Sequence, residues 1–166
     1  MLSPLDQGSV LAALRAGVPQ YSNAAVHMEK IPISSTLPLS KYIEEYKLYR
    51  AESLEMLLYS QGLARGGRVN GAPWVMTPVV VERQDGKFIV IDGTHRIYHS
   101  LSKQVEQMEV VVIDGATSPL PAPLQSWEEV RLVSHRVSRQ DRYEAFQADA
   151  FRPIGEALQS LAVFSI

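Results

Sequence analysis

Hydrophobic and polar positions along the chain follow a helical period in four stretches. Apolar residues recur there at intervals of three and four, the spacing that places them on one face of a helix. The first stretch ends where Gly17 and Pro19 interrupt the pattern, and the second is weakened near Arg50. The pattern predicts helices over residues 5–16, 41–61, 94–104 and 125–162.

Shorter apolar runs between these stretches are typical of β-strands. Two of them flank an Asp85-Gly86 pair, a combination that favours a tight β-hairpin. Another contains Pro32, which has no N–H to donate to a sheet ladder, so we expect that strand at a sheet edge. The strands are predicted over residues 28–33, 78–82, 87–91 and 109–113.

The order of these elements predicts a single α/β (α+β) domain over residues 1–166, with a small mixed sheet surrounded by helices. Its core spans residues 28–114. The Pro-rich segment 118–123 cannot form regular helix, so it separates this core from a C-terminal extension over 118–166. We expect the extension to be helical and packed back on the core.

Composition and charge narrow the classes of function. The chain has 166 residues, enough to bury one core, and contains no cysteine, which excludes disulfides and thiolate metal sites. A net charge of −2 gives no field for polyanions, so DNA is not expected as a partner. No secretion signal and no apolar run of membrane-helix length is visible. We expect a cytoplasmic protein without a membrane partner, and its oligomeric state stays open.

The segment 92–96, Asp-Gly-Thr-His-Arg, carries the candidate chemistry. A strand that ends in a Gly turn and opens a helix directs backbone N–H groups and the positive end of the helix dipole at one point, which suits a phosphate. His95 and Arg96 add donors, and Asp92 adds a carboxylate for Mg²⁺. The structural alternative is a plain turn with a capped helix and an Arg96 ion pair, but the surrounding strand, hairpin and helix favour phosphate binding.

The hairpin and segment 92–96 together resemble the ParB/sulfiredoxin superfamily, many of whose members place Asp-Gly-x-His-Arg at this junction of strand and helix. The resemblance covers about residues 28–114 and is greatest to the branch of free-serine kinases. These families bind nucleotide phosphates at the turn: CTP in partition proteins, ATP in sulfiredoxins, and ADP or ATP in free-serine kinases. Since the chain has no cysteine, sulfiredoxin chemistry is excluded.

The resemblance implies a role for each residue of the turn. Asp92 would help to hold Mg²⁺. The side chains of His95 and Arg96 would bind the phosphates of ATP or ADP, with CTP as a further candidate. The amides of Gly93 and Thr94 would complete the phosphate cradle.

Phosphoryl transfer also needs a group that positions and deprotonates the acceptor hydroxyl. The free-serine kinases carry a Glu just after the first strand, whereas segment 37–40 here holds no acid. The nearest acids, Glu44 and Glu45, are therefore the candidate catalytic carboxylates, with His95 as the third catalytic candidate. A solvated acidic helix face is the commoner role of such a Glu pair.

Several basic residues have two interpretations each. By the resemblance, Arg50 would approach the nucleotide, although it could equally be an exposed residue of its helix. In the extension, Arg136, Arg139 and Arg142 would either clamp an anionic substrate or form a charge-laced surface with the acids between them. A transition-metal site formed by His95 and His99, with Asp92 as the third ligand, is the less favoured alternative to Mg²⁺–nucleotide.

Together these features predict an ATP- or ADP-dependent enzyme, a phosphotransferase of the kinase type or an ATPase, acting on a small-molecule acceptor. The alternatives are a nucleotide-gated, ParB-like DNA-binding or adaptor module, and a ParB-like nuclease. The adaptor needs a reader domain, for which the extension has little room. The nuclease needs clustered carboxylates and phosphate-tracking basic residues, neither of which is evident in the sequence.

Overall fold

The computed structural model describes residues 2–60, 64, 66–69 and 75–162. Its strands are β1 (Leu2–Pro4), β2 (Ala25–Pro32), β3 (Thr36–Leu37), β4 (Tyr42–Glu44), β5 (Gly67–Val69), β6 (Val75–Met76), β7 (Val80–Gln84), β8 (Lys87–Asp92), β9 (Gln107–Asp114) and β10 (Arg131–Val133). Its α-helices are α1 (Gln7–Gly17), α2 (Glu45–Ser60), α3 (Thr94–Ser102), α4 (Arg139–Arg142) and α5 (Ile154–Gln159). Single turns of 3₁₀ helix lie at Pro19–Tyr21, Ile33–Ser35 and Ala148–Ala150.

A five-stranded mixed sheet forms the centre of the fold, so the predicted α+β class is confirmed. Its strand order is β2-β9-β7-β8-β3, in which β9–β7 and β8–β3 are parallel and the other pairs antiparallel. The hairpin joins β7 and β8 through Asp85 and Gly86, whose φ angles of 51° and 77° suit a tight two-residue turn. As predicted, the strand that contains Pro32 lies at a sheet edge.

Both faces of this sheet are buried, because helices cover each of them. On one face, Val111 and Ile113 of β9 pack in a cluster with residues of α1 and α5. On the other, Val110 and Val112 pack with Ile97 of α3, and α2 lies against α3. Residues 110–113 of strand β9 therefore form a continuous apolar run, as expected where a strand is buried on both faces.

The predictions for the flanking segments need correction. The stretch 41–61 begins as strand β4 before it becomes helix α2. The extension is not the long helix predicted over 125–162: it contains strand β10, which pairs in parallel with β4, and only the short helices α4 and α5. Its apolar side chains pack one by one onto the core instead of forming a helical stripe.

No helix in the described part of the chain is long and apolar enough to cross a bilayer.

Candidate functional site

The turn after β8 opens helix α3 as predicted, and its shape requires glycine. Gly93 has a φ of +96°, and a Cβ at this position would lie 2.8 Å from the Val79 side chain. Since Gly93 is also the N-cap residue, no side chain caps α3. The backbone N–H groups of its first turn therefore lack intrahelical acceptors, which leaves them available to an anion.

This helix end lines a cavity of about 220 Å³. Four cationic side chains also line the cavity: Lys47, Arg50, Arg96 and Arg142. Among the described lining residues, Asp92 is the one acid. The cavity is therefore a positively charged compartment in a protein of net negative charge.

Asp92 and Arg96 are connected through the segment that leads into β7. Arg96 is buried and donates to the carbonyl oxygens of Thr77, at 2.6 Å, and Pro78, at 3.4 Å. The Thr77 hydroxyl donates in turn to Oδ2 of Asp92, and Arg96 Nη2 lies 3.8 Å from the same oxygen. Arg96 thus holds the turn in place, and direct phosphate binding by its side chain stays a prediction.

His95 lines the cavity as an uncharged side chain. The backbone N–H of Glu44 donates to its Nε2 at 3.1 Å, which places the ring proton on Nδ1. Burial, together with the charges of Lys47 and Arg142, lowers the pKa of His95 to about 4. A neutral imidazole offers a phosphate one N–H donor but no charge, so His95 contributes less to anion binding than the sequence predicts.

Glu44 is a buried carboxylate with both oxygens occupied. Oε1 accepts from Arg142 Nη2 at 2.7 Å and lies 3.2 Å from Lys47 Nζ, while Oε2 accepts from the Val137 N–H at 3.2 Å. Burial raises its pKa, but the Val137 bond and the two cations outweigh burial, so the pKa lies below its usual range. A carboxylate held in this way orients the cations of the cavity and is a poor proton acceptor.

The other two candidates of this region lie on the surface. Glu45 begins α2, is exposed and does not line the cavity. Arg50 is exposed as well, but it lines the cavity and its guanidinium lies 5.9 Å from the centre of the Tyr46 ring. Arg50 therefore remains a candidate nucleotide contact, whereas Glu45 lies apart from the turn at 92–96.

Two site residues come from the extension. Arg142 and Tyr143 line the cavity, and Tyr143 also bridges to Ser40 of the core. In the sequence, Arg142 is one of several similar arginines of the extension, and Lys47 belongs to no recognisable motif.

The cations of the cavity crowd one another. Burial and nearby cations, chiefly Arg142, lower the pKa of Lys47, so a bound anion would reduce the repulsion among these positive charges.

Among the described residues, no group of three or more histidine, aspartate or glutamate side chains could hold a metal ion. Of the described residues that line the cavity, Asp92 alone offers a carboxylate; its side chain is 38% exposed and both of its contacts are made by Oδ2. One carboxylate fits Mg²⁺ that arrives on a polyphosphate, because such Mg²⁺ keeps most of its ligands as water and phosphate oxygens.

Comparisons with protein-family models, with curated proteins and with solved structures found no match to this chain. The resemblance to the ParB/sulfiredoxin superfamily therefore rests on the residues of the hairpin and of segment 92–96 alone, and membership of that superfamily stays a prediction.

Proposed function

We propose that the protein binds the polyphosphate of ATP or ADP in the cavity at residues 92–96 and transfers a phosphoryl group to a small-molecule acceptor. The observation that carries this proposal is the convergence of four cationic side chains and an uncapped helix N-terminus on one cavity. Backbone N–H groups and cations placed together are the usual means of holding phosphate oxygens. The kinase-like resemblance supports the same ligand.

The size of the cavity fits the phosphates better than a whole nucleotide. At about 220 Å³ it lies below the roughly 300–1,000 Å³ typical of pockets that enclose a drug-sized ligand. The phosphates would occupy the charged cavity, and the nucleoside would extend outside it. Phosphoryl transfer depends mainly on positioning and charge stabilisation, so a small and strongly cationic compartment is suited to the task.

Each charged side chain then has a role in the proposed site. Lys47, Arg50 and Arg142 contact phosphate oxygens, together with the first amides of α3. Buried Glu44 positions Lys47 and Arg142 from behind. Asp92 would hold Mg²⁺, which neutralises phosphate charge when bound.

The first prediction tests the binding site itself. Removing Arg50 or Arg142 takes away a charge-assisted contact, so Arg50→Ala and Arg142→Gln should each weaken ATP binding by about 1.5–3 kcal/mol, roughly tenfold to a hundredfold. We expect Mg²⁺–ATP to raise the Tm of the parent through mass action and to raise that of the variants less. Calorimetric titration then gives the Kd of each protein.

Arg131→Ala is the matched control, because Arg131 is an exposed arginine of the extension outside the charged cavity. It should bind ATP as the parent does. The proposal fails if the parent binds none of ATP, ADP and CTP, or if folded Arg50→Ala and Arg142→Gln bind them with the parent's Kd.

A further inference from the structure

A second cavity, of about 480 Å³, adjoins the charged one. The two cavities share the side chains of Ile91, Asp92, Arg142 and Tyr143 as a common wall. A ligand in either cavity therefore lies next to a ligand in the other. This is the arrangement that a transfer reaction between two bound molecules needs.

The extension supplies the remaining described walls of the second cavity, including three charged side chains, Arg139, Arg152 and Glu156. Arg152 is already paired with Glu82. The Arg139 guanidinium lies 4.1 Å from the centre of the Phe151 ring. Glu156 is exposed, and no described residue forms an ion pair with it. A carboxylate and a guanidinium thus line one small compartment without neutralising each other.

Among the described residues lining the two cavities, the acids are Asp92 and Glu156. Asp92 already accepts a hydrogen bond from the Thr77 hydroxyl and lies beside Arg96. Glu44 does not line either cavity, and both of its oxygens are bound. Glu156 is left as the carboxylate that can receive a proton from a bound acceptor.

From this geometry we infer that the second cavity is the acceptor site, that its ligand is a small, charged hydroxyl compound, and that Glu156 is the catalytic base. The inference rests on the proposed function, since it needs ATP in the charged cavity. In the reaction, the acceptor hydroxyl gives its proton to the Glu156 carboxylate and its oxygen bonds to the γ-phosphorus of ATP. The bond from that phosphorus to the β,γ-bridging oxygen breaks, and ADP leaves with the bonding electron pair.

The charges of the wall favour an acceptor over the nucleoside of ATP. A nucleobase and ribose carry no charge, so a nucleoside would make no ionic contact with the exposed side chains of Arg139 and Glu156. An acceptor that carries an anionic group gives Arg139 a partner, while its hydroxyl faces Glu156.

The second prediction tests this site with Glu156→Gln and, as matched control, Glu106→Gln, a change at an exposed glutamate outside both cavities. Each protein is incubated with Mg²⁺, γ-³²P-labelled ATP and a protein-free extract of small metabolites, and labelled products are separated. Loss of the base should reduce labelled product about 100-fold or more for Glu156→Gln. Its Kd for a non-hydrolysable ATP analogue should stay within twofold of the parent's, and Glu106→Gln should match the parent in both assays.

The other outcomes overturn the inference. Parent-like transfer by Glu156→Gln removes its role as base. A Kd for the ATP analogue that rises as far as transfer falls makes the second cavity the nucleoside site. A parent that binds the analogue yet labels no compound leaves the proposed binding intact and removes the acceptor site. A parent that does not bind the analogue overturns the proposed function together with this inference.

Discussion

The backbone N–H of Glu44 donates to Nε2 of His95, a bond that the protonated imidazolium cannot accept. Burial and the cations Lys47 and Arg142 oppose protonation as well, and together they lower the pKa of His95 from 6.5 to about 4. The folded state thus binds a proton at His95 more weakly than the unfolded chain does. The protonation of a single side chain is thereby linked to the stability of the whole fold.

The third prediction follows from the sign of that shift. Between about pH 4 and pH 6.5 the unfolded chain binds more protons at His95, so the free energy of unfolding rises with pH across this window. As the pH falls from 6.5 toward 4, the titration of His95 lowers the free energy of unfolding by on the order of 3 kcal/mol. Above pH 6.5 this loss is absent. His95→Gln keeps an acceptor for the Glu44 N–H but does not titrate. Urea unfolding from pH 4.5 to 7.5 should therefore show a shallower pH dependence for the variant, and equal slopes would contradict the assignment.

For individual residues, the sequence predicts the turn at 92–96 better than it predicts the side chains that surround this turn. The strand–Gly–helix junction is local, so the pattern identifies Asp92, Gly93 and the helix start correctly. That Glu44 and Glu45 face different ways also follows from their being neighbours, and one is buried and the other exposed. Which of them faces inward depends on Arg142, which lies almost a hundred residues later and is brought close only by tertiary packing.

Among the structural elements, strand β7 carries a buried polar anchor for the extension. The Glu82 side chain in this strand is fully buried and binds Arg152 through both oxygens, at 2.8 and 3.3 Å, while the Tyr21 hydroxyl donates to Oε2 at 2.7 Å. Arg152 also donates to backbone carbonyls of the extension at Ser118, Pro119 and Ala150. Each group of the cluster is paired, which is the condition for burying charges at all.

The fourth prediction concerns this pair. Arg152→Met leaves the Glu82 carboxylate buried without its cation and should lower the free energy of unfolding by about 3–5 kcal/mol. Adding Glu82→Gln to this variant should cost less than the sum of the two single changes, because the lone charge disappears. The control is Arg83→Met in the same strand: Arg83 pairs with Glu29 at the surface, and its loss should cost less than about 1 kcal/mol. Urea unfolding measures the parent, the two single variants, the double variant and the control, and equal costs for Arg152→Met and Arg83→Met would contradict the prediction.

The elements also differ in how far the sequence determines them. The β7–β8 hairpin follows from Asp85-Gly86 and two apolar runs, and the structure confirms it. The extension has apolar residues at intervals that suit a helix, but they serve different partners. Trp127, for example, packs beside α3 and donates to the Thr36 carbonyl at 2.9 Å, while Leu132 lies half exposed in β10. A prediction from the spacing of apolar residues assumes that they share one face, so it fails where each residue packs against a different partner.

At the scale of the whole molecule, the extension and the core complete each other's buried surfaces. Arg142 and Tyr143 close the charged cavity, and Arg152 neutralises Glu82 in the sheet. Helix α5 covers the sheet face that α1 also covers, so closely that a Cβ on Gly17 would lie 2.6 Å from that of Ala157. The extension is therefore expected to be part of one cooperative folding unit and not an appended domain.

The fifth prediction tests that unity by ending the chain at residue 117. The shortened protein keeps every strand of the central sheet but loses the apolar cover of α5 and the Arg152 side chain that pairs with Glu82. It also loses Arg142, which leaves Lys47 beside Glu44. The buried Glu82 carboxylate without its cation should cost several kcal/mol, and together with the lost apolar cover this approaches the roughly 5–15 kcal/mol stability of a whole domain. We expect no cooperative unfolding transition in calorimetry and weak dispersion of amide proton signals in NMR spectra. A truncated protein that unfolds cooperatively near the parent's Tm would instead make the core an independent domain. Its Kd for ATP would then show how much of the phosphate site the extension contributes.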